Sequence, residues 1–161
     1  MLELDDPHPA MRDGRQSPTA LAVQRGVRRL FARMQAASMT ELVLASGRRA
    51  DIVILARDGV IAIVEIKSSV ADFRADRKWQ EYRAFCDRFY FAVPDAFPQA
   101  LIPQDAGLIV ADGFDAAILR DAPAHPLAGA RRKAVTLRFA HAAATALLSL
   151  SDPQAHVPEG W

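Results

Sequence analysis

The chain has little that would staple, anchor or steer it. It carries one cysteine, Cys86, in 161 residues, which excludes an internal disulfide framework and any zinc site built on several thiolates. No apolar run reaches the length of a bilayer crossing, so no membrane partner is expected. Charge of one sign is missing too: 20 Lys+Arg against 19 Asp+Glu leave a net charge of +1. Any nucleic-acid binding must therefore rest on a local patch. The eight glycines form no phosphate-cradling loop, which removes support for nucleotide hydrolysis. His8, His125, His141 and His156 are scattered without metal-ligand spacing. The opening MLELDDPHPAMRDGRQSP lacks the apolar core of a secretory signal, so the expectation is a soluble cytoplasmic protein.

What is present is the patterning of one mixed α/β domain over residues 18–150, with tails at 1–17 and 151–161. Ser17-Pro18 reads as an N-cap followed by proline at the first helical position. Behind it, Val23, Val27, Leu30, Phe31 and Met34 form a helical stripe, with Arg25, Arg28, Arg29 and Arg33 on the outer face. TELVLAS, ADIVILA and VIAIVEIKSS read as three successive strands turned at Gly47 and Gly59. ADFRADRKWQEYRAFCDR then reads as a helix, FYFAVP as a strand, and residues 95–106 as a connection holding a short helix. GLIVAD and AAILRD are two more strands. A last helix from about Gly129 to Leu150 has Leu137, Ala140, Ala144, Leu147 and Leu148 as its apolar stripe. The order is α-β-β-β-α-β, then β-β-α.

The informative anomaly is charge inside apolar strands, because burying an unpaired charge is costly. Asp51 opens the second strand, while Glu65 and Lys67 lie two residues apart on one face of the third. A two-residue turn at Asp58-Gly59 would point Asp51 to the wrong face. A three-residue Arg57-Asp58-Gly59 loop with Gly59 at positive φ sets Asp51 directly opposite Glu65, and the sequence suits that register. Two adjacent carboxylates repel unless a cation lies between them, which favours a hard divalent metal such as Mg²⁺, or Mn²⁺ in its place. Lys67 beside it would stabilise charge developing on a phosphoryl oxygen. The alternative is a structural ion pair, Glu65–Lys67 or Asp51–Arg49. The choice of lysine at position 67, in a chain with three lysines and seventeen arginines, weighs for the functional reading.

Asp51 followed by Glu65-Ile66-Lys67 resembles the signature of the PD-(D/E)XK nucleases. The longer run GRRADIVILARDGVIAIVEIKSSVADFRADRKWQEYRAFCDRFYFAVP, then GLIVADG and ARRKAVTLRFA, is similar to the MmcB-related DNA repair proteins over residues 20–148. The resemblance implies a restriction-endonuclease-like core and a metal-dependent endonuclease acting in DNA repair. Asp51, Glu65 and the Ile66 carbonyl would be metal ligands and Lys67 the catalytic lysine. Two departures stand out. Ala50 replaces the usual proline, and the first helix lacks the glutamate that related nucleases often add; Gln24 and Glu41 are the nearest candidates. Those nucleases also often carry a Gln and a Tyr one turn apart on the following helix. Lys78 and Tyr82 have that spacing here, which makes Lys78 a candidate phosphate contact, with core packing the alternative for Tyr82.

Arg48 and Arg49, at the strand mouth before Asp51, are further candidates to grip DNA phosphates. So is the run Arg131-Arg132-Lys133, whose cations sit unfavourably at a helix N-terminus unless an anion binds there. Trp79 and Cys86 read as core residues. Three functions follow from the residues and the resemblance: a DNA endonuclease, a non-catalytic DNA-binding or adaptor module of the same fold, and an RNA-directed nuclease. A homodimer and repair partner proteins are compatible with each, although no heptad or exposed apolar patch in the sequence demands a dimer.

Overall fold

In a computed structural model, residues 16–157 are described. Most of the expected N-terminal tail and residues 158–161 lie outside them. Among the described residues, nine α-helices and strands follow in chain order: α1 (Pro18–Arg33), β1 (Ala37–Val43), β2 (Arg49–Leu55), β3 (Ile61–Ile66), α2 (Val70–Ala75), β4 (Arg88–Val93), β5 (Gly107–Ala111), β6 (Ala116–Arg120) and α3 (Gly129–Ser151), with short 3₁₀ segments at Trp79–Phe85 and Gln99–Leu101. The strands form one six-stranded sheet in sequential order. The β1–β2, β2–β3 and β5–β6 pairs are antiparallel, while β3–β4 and β4–β5 are parallel.

Period-two alternation sends the side chains of each central strand into two cores. Ile52, Ile54, Val64, Ala92 and Ile109 meet Val23, Val27 and Phe31 of α1 on one face. Val53, Ile63, Phe89, Phe91 and Leu108 meet Trp79, Tyr82 and Phe85, with Val135 and Phe139 of α3, on the other. The Ser17 hydroxyl accepts a bond from the Ala20 N–H at 3.1 Å and Pro18 opens α1, so the expected cap is present.

Two helices depart from the expected pattern. The single helix expected from ADFRADRKWQEYRAFCDR is broken. Here α2 spans Val70–Ala75, and a 3₁₀ segment runs Trp79–Phe85. Asp76 ends α2 in an extended conformation and turns its carboxylate to the Lys67 ammonium and the Lys78 N–H. A polar tertiary contact thus overrides helix propensity there. The second departure is in α3, whose boundaries agree with expectation but whose apolar stripe does not. Val135 and Phe139 are the buried residues, whereas Leu137, Leu147 and Leu148 are exposed.

The β2–β3 connection sets the register. The Ala56 N–H bonds the Val60 carbonyl, the Gly59 N–H bonds the Ala56 carbonyl, and Gly59 has φ +87°. This is the three-residue loop with glycine in the left-handed position. It pairs Ile52 with Val64 and Val53 with Ile63, so Asp51 falls opposite Glu65.

Candidate functional site

At the sheet end where β2 begins and β3 stops, backbone and carboxylates interlock. The Glu65 Oε1 accepts from the Asp51 N–H at 3.0 Å, and the Asp51 Oδ2 accepts from the Ile66 N–H at 2.8 Å. Each carboxylate is thus fixed by the other strand's backbone. They line a cleft of about 590 Å³ with Ile66, Lys67, Ser68, Asp72 and the start of α1. Glu65 is 5% exposed and Lys67 6%.

Electrostatics set this pair apart from an ordinary ladder end. Burial, followed by repulsion from Asp51, holds the Glu65 carboxyl well above the usual carboxylate range. Asp51 is raised too, first by burial, with Glu41 and Asp72 adding repulsion. The pair shares too little positive charge to be comfortable as two anions, which is the condition a cation between them relieves. Their oxygens and the Ile66 backbone are hard donors of the kind Mg²⁺ or Mn²⁺ takes. Among the described residues, no cluster of three or more His, Cys, Asp or Glu side chains is arranged to hold a metal. A cation here would therefore rest on two carboxylates, with backbone and water completing its shell.

The Lys67 ammonium meets the Asp76 Oδ2 at 2.9 Å. Burial alone would lower its pKa, but the Asp76 bond and the surrounding carboxylates raise it overall. At neutral pH it is a fixed cation and not a proton acceptor. Asp76 is also approached by Arg48, 3.9 Å away, which in turn bonds Glu81 at 2.8 Å and lies over the Tyr82 ring. Sequence reasoning missed Asp76. The one available signal was the second acid of the ADFRADRK run, and the helical reading concealed it.

The two candidates to replace the missing first-helix glutamate, Gln24 and Glu41, are connected to each other but do not line the cleft. Glu41 lies opposite Asp51, between the Thr40–Ile52 and Leu42–Ala50 pairs, with φ +58°. That left-handed backbone is costly for a residue with a Cβ. Its carboxylate takes the Arg49 Nε at 2.6 Å and the Gln16 amide at 2.8 Å. Gln16 accepts in turn from Gln24 of α1. The two candidates are ends of one polar chain beside the cleft.

The expected DNA contacts divide. Exposed Arg49 and Lys78 lie at the cleft end. Arg48 is engaged by Glu81 and Asp76. Tyr82 is buried, its hydroxyl donating to the Arg49 carbonyl at 3.0 Å, so core packing is its role. The Arg131–Lys133 run is elsewhere. Arg132 bonds the Gly59 carbonyl and both Asp87 oxygens, at 2.8, 2.6 and 2.6 Å. Gly59 lies in the β2–β3 loop, at the opposite sheet end from Glu65, about 20 Å away at strand rise. The anion that this helix start requires is thus Asp87, and Arg132 is a structural residue. Arg131 packs over the Phe85 ring, 4.8 Å from its centre, and Lys133 is exposed at the same far end.

A family model described as DNA repair protein MmcB-like matches residues 7–154. A solved structure, described as SPO1766 protein of unknown function from Silicibacter pomeroyi, is 42% identical, with a TM-score of 0.86. The match covers 91% of this chain and 100% of that one. No curated protein matches significantly.

Proposed function

Since the chain belongs to the MmcB-like DNA repair protein family, we propose that it is a divalent-metal-dependent deoxyribonuclease working at the Asp51–Glu65–Lys67 cleft. One observation carries the reading: the buried Glu65 carboxylate and the half-buried Asp51 carboxylate, each anchored by the other strand's backbone, face a common cleft beside a fixed ammonium. The resemblance to PD-(D/E)XK nucleases adds weight, as does the order α1-β1-β2-β3-α2-β4 with β3 parallel to β4.

Asp51, Glu65 and the Ile66 carbonyl would hold the Mg²⁺ or Mn²⁺, which supplies Lewis acidity toward a phosphodiester. The chain's own contribution is positioning. Asp51 and Glu65 are locked against rotation by the Ile66 and Asp51 N–H groups, so their free oxygens are preorganised. Lys67, held charged and oriented by Asp76, stabilises negative charge as it accumulates on the scissile phosphate oxygens. Arg48 keeps Asp76 in place from behind. Arg49 and Lys78, on the open side, would take flanking phosphates.

The second reading is a DNA-binding or adaptor module without turnover. It is favoured by the absence of any acid on α1 and by the commitment of Lys67 to Asp76. Cleavage of a panel of labelled DNA structures, with Mg²⁺, with Mn²⁺ and with chelator, separates the two. The nuclease requires metal-dependent cutting that falls at least about 100-fold in Lys67→Ala while binding persists. Salt-sensitive binding without cutting leaves the adaptor. Stronger competition by single-stranded RNA than by DNA would redirect the substrate assignment.

A further inference from the structure

The outer face of α3 is apolar and uncovered. Leu137 is 51% exposed, Leu147 66% and Leu148 44%, with exposed Ala140 and Ala144 between them. Positions 137, 140, 144 and 148 recur at helical spacing, opposite the face on which Val135 and Phe139 are buried. The helix is thus apolar on two sides, a pattern that belongs to a helix covered on both. Its ends are anomalous as well. Asp87 answers only Arg132 of the three cations at the positive end of the helix dipole, leaving Lys133 exposed there with no acid in the first turn, and no basic residue complements the carbonyls of the last turn.

We propose that α3 pairs antiparallel with α3 of a second copy of this chain. One arrangement answers both anomalies. An antiparallel register centred between residues 142 and 143 sets Leu137 against Leu148 of the other copy, with Ala140 and Ala144 at the close crossing. It also brings Lys133 of each copy to the negative end of the other's α3, where Asp152 caps the helix. At about 1.5 Å per residue the helix is about 35 Å long. A single helix pair of that length makes a modest interface, so a dissociation constant in the micromolar range, about −8 kcal/mol, is expected. The pairing uses neither the cleft nor its chemistry and does not depend on the nuclease reading.

Sedimentation velocity of the full chain from about 1 to 100 µM tests it, with Ala144→Glu and Leu148→Glu as variants. Both positions are exposed, and circular dichroism verifies their folding. The expected result is a concentration-dependent dimer that both substitutions convert to monomer. Cysteine cross-linking reads the orientation, since Cys86 is buried. Ala144→Cys should cross-link to itself, and Leu137→Cys to Leu148→Cys but not to itself. Monomer at every concentration, self-cross-linking at Leu137→Cys, or a dimer indifferent to both glutamates would overturn the proposal. So would a monomer that binds phosphatidylcholine vesicles and loses that binding in Leu148→Glu, because α3 has the length and composition of a membrane helix.

Discussion

Replacing Asp87 by asparagine should cost about 2.5 kcal/mol at neutral pH and progressively less in acid. The carboxylate is 5% exposed and accepts four bonds: from the Ile61 N–H at 2.8 Å, the Leu127 N–H at 2.8 Å and the Arg132 guanidinium twice at 2.6 Å. Burial would raise its pKa, but the Arg132 bonds and the two N–H groups outweigh it and pull the carboxyl from 3.8 down to about 2. A native pKa below the unfolded one means the native state binds protons less readily. The stabilisation is therefore complete above about pH 5, and falls to about half near pH 3. It vanishes below about pH 2. At neutral pH it amounts to about 2.5 kcal/mol, or roughly 5–10 °C in Tm for a chain of this size. Urea unfolding of wild type and Asp87→Asn across that range measures the difference directly. A pH-independent gap, or one under about 0.5 kcal/mol, would refute the reasoning. The same experiment bears on Arg132, because a residue spent on Asp87 should, as Arg132→Ala, lower stability while leaving the DNA affinity of the folded protein unchanged.

Three further outcomes follow. Asp76→Asn releases the Lys67 ammonium and should lower cleavage about tenfold or more, with DNA affinity unchanged by fluorescence anisotropy; undiminished turnover would remove Asp76 from the site. Glu65→Gln relieves the repulsion between the two carboxyls, so in chelator its Tm should rise by roughly 2–4 °C, while Mg²⁺ binding by calorimetry disappears. A lower Tm in chelator would show that the pair is not strained. Gly26→Ala would put a Cβ 2.3 Å from the Asp112 carbonyl oxygen and 2.4 Å from that of Asp115. Forcing α1 from the β5–β6 turn should cost about 2–3 kcal/mol in urea unfolding.

Much of the fold was legible because its signals are local. Apolar runs between turns marked all six strands, with β1 beginning three residues before the expected Thr40, and Ser17-Pro18 marked the start of α1. The pairing of Asp51 with Glu65 was legible as well, since a three-residue loop ending in Gly59 fixes the register of everything on either side of it. The reading failed where a distant partner decided the outcome. ADFRADRKWQEYRAFCDR has the apolar spacing of one helix, but Lys67, nine residues before Asp76, draws that carboxylate out of the pattern. Leu137 and Leu148 mark an apolar stripe on α3 as clearly as Val135 and Phe139 do, and periodicity alone does not say which stripe meets the sheet.

Charges divide along the same line. Sequence alone placed Asp51, Glu65 and Lys67 at one end of one sheet, because Gly59 suits the three-residue loop and strand alternation then sets all three on one face. Which cations are available to a ligand was decided only by tertiary structure. Arg48, Arg49 and Arg132 are alike in sequence as basic residues near strands or helix starts. In the folded chain Arg132 is bound to Asp87 at the far end, Arg48 is bound between Glu81 and Asp76, and Arg49 pairs with Glu41 at 2.6 Å yet stays exposed beside the cleft. An ion pair depends on where two distant segments are brought together, and a pattern of spacings along the chain carries no record of that meeting.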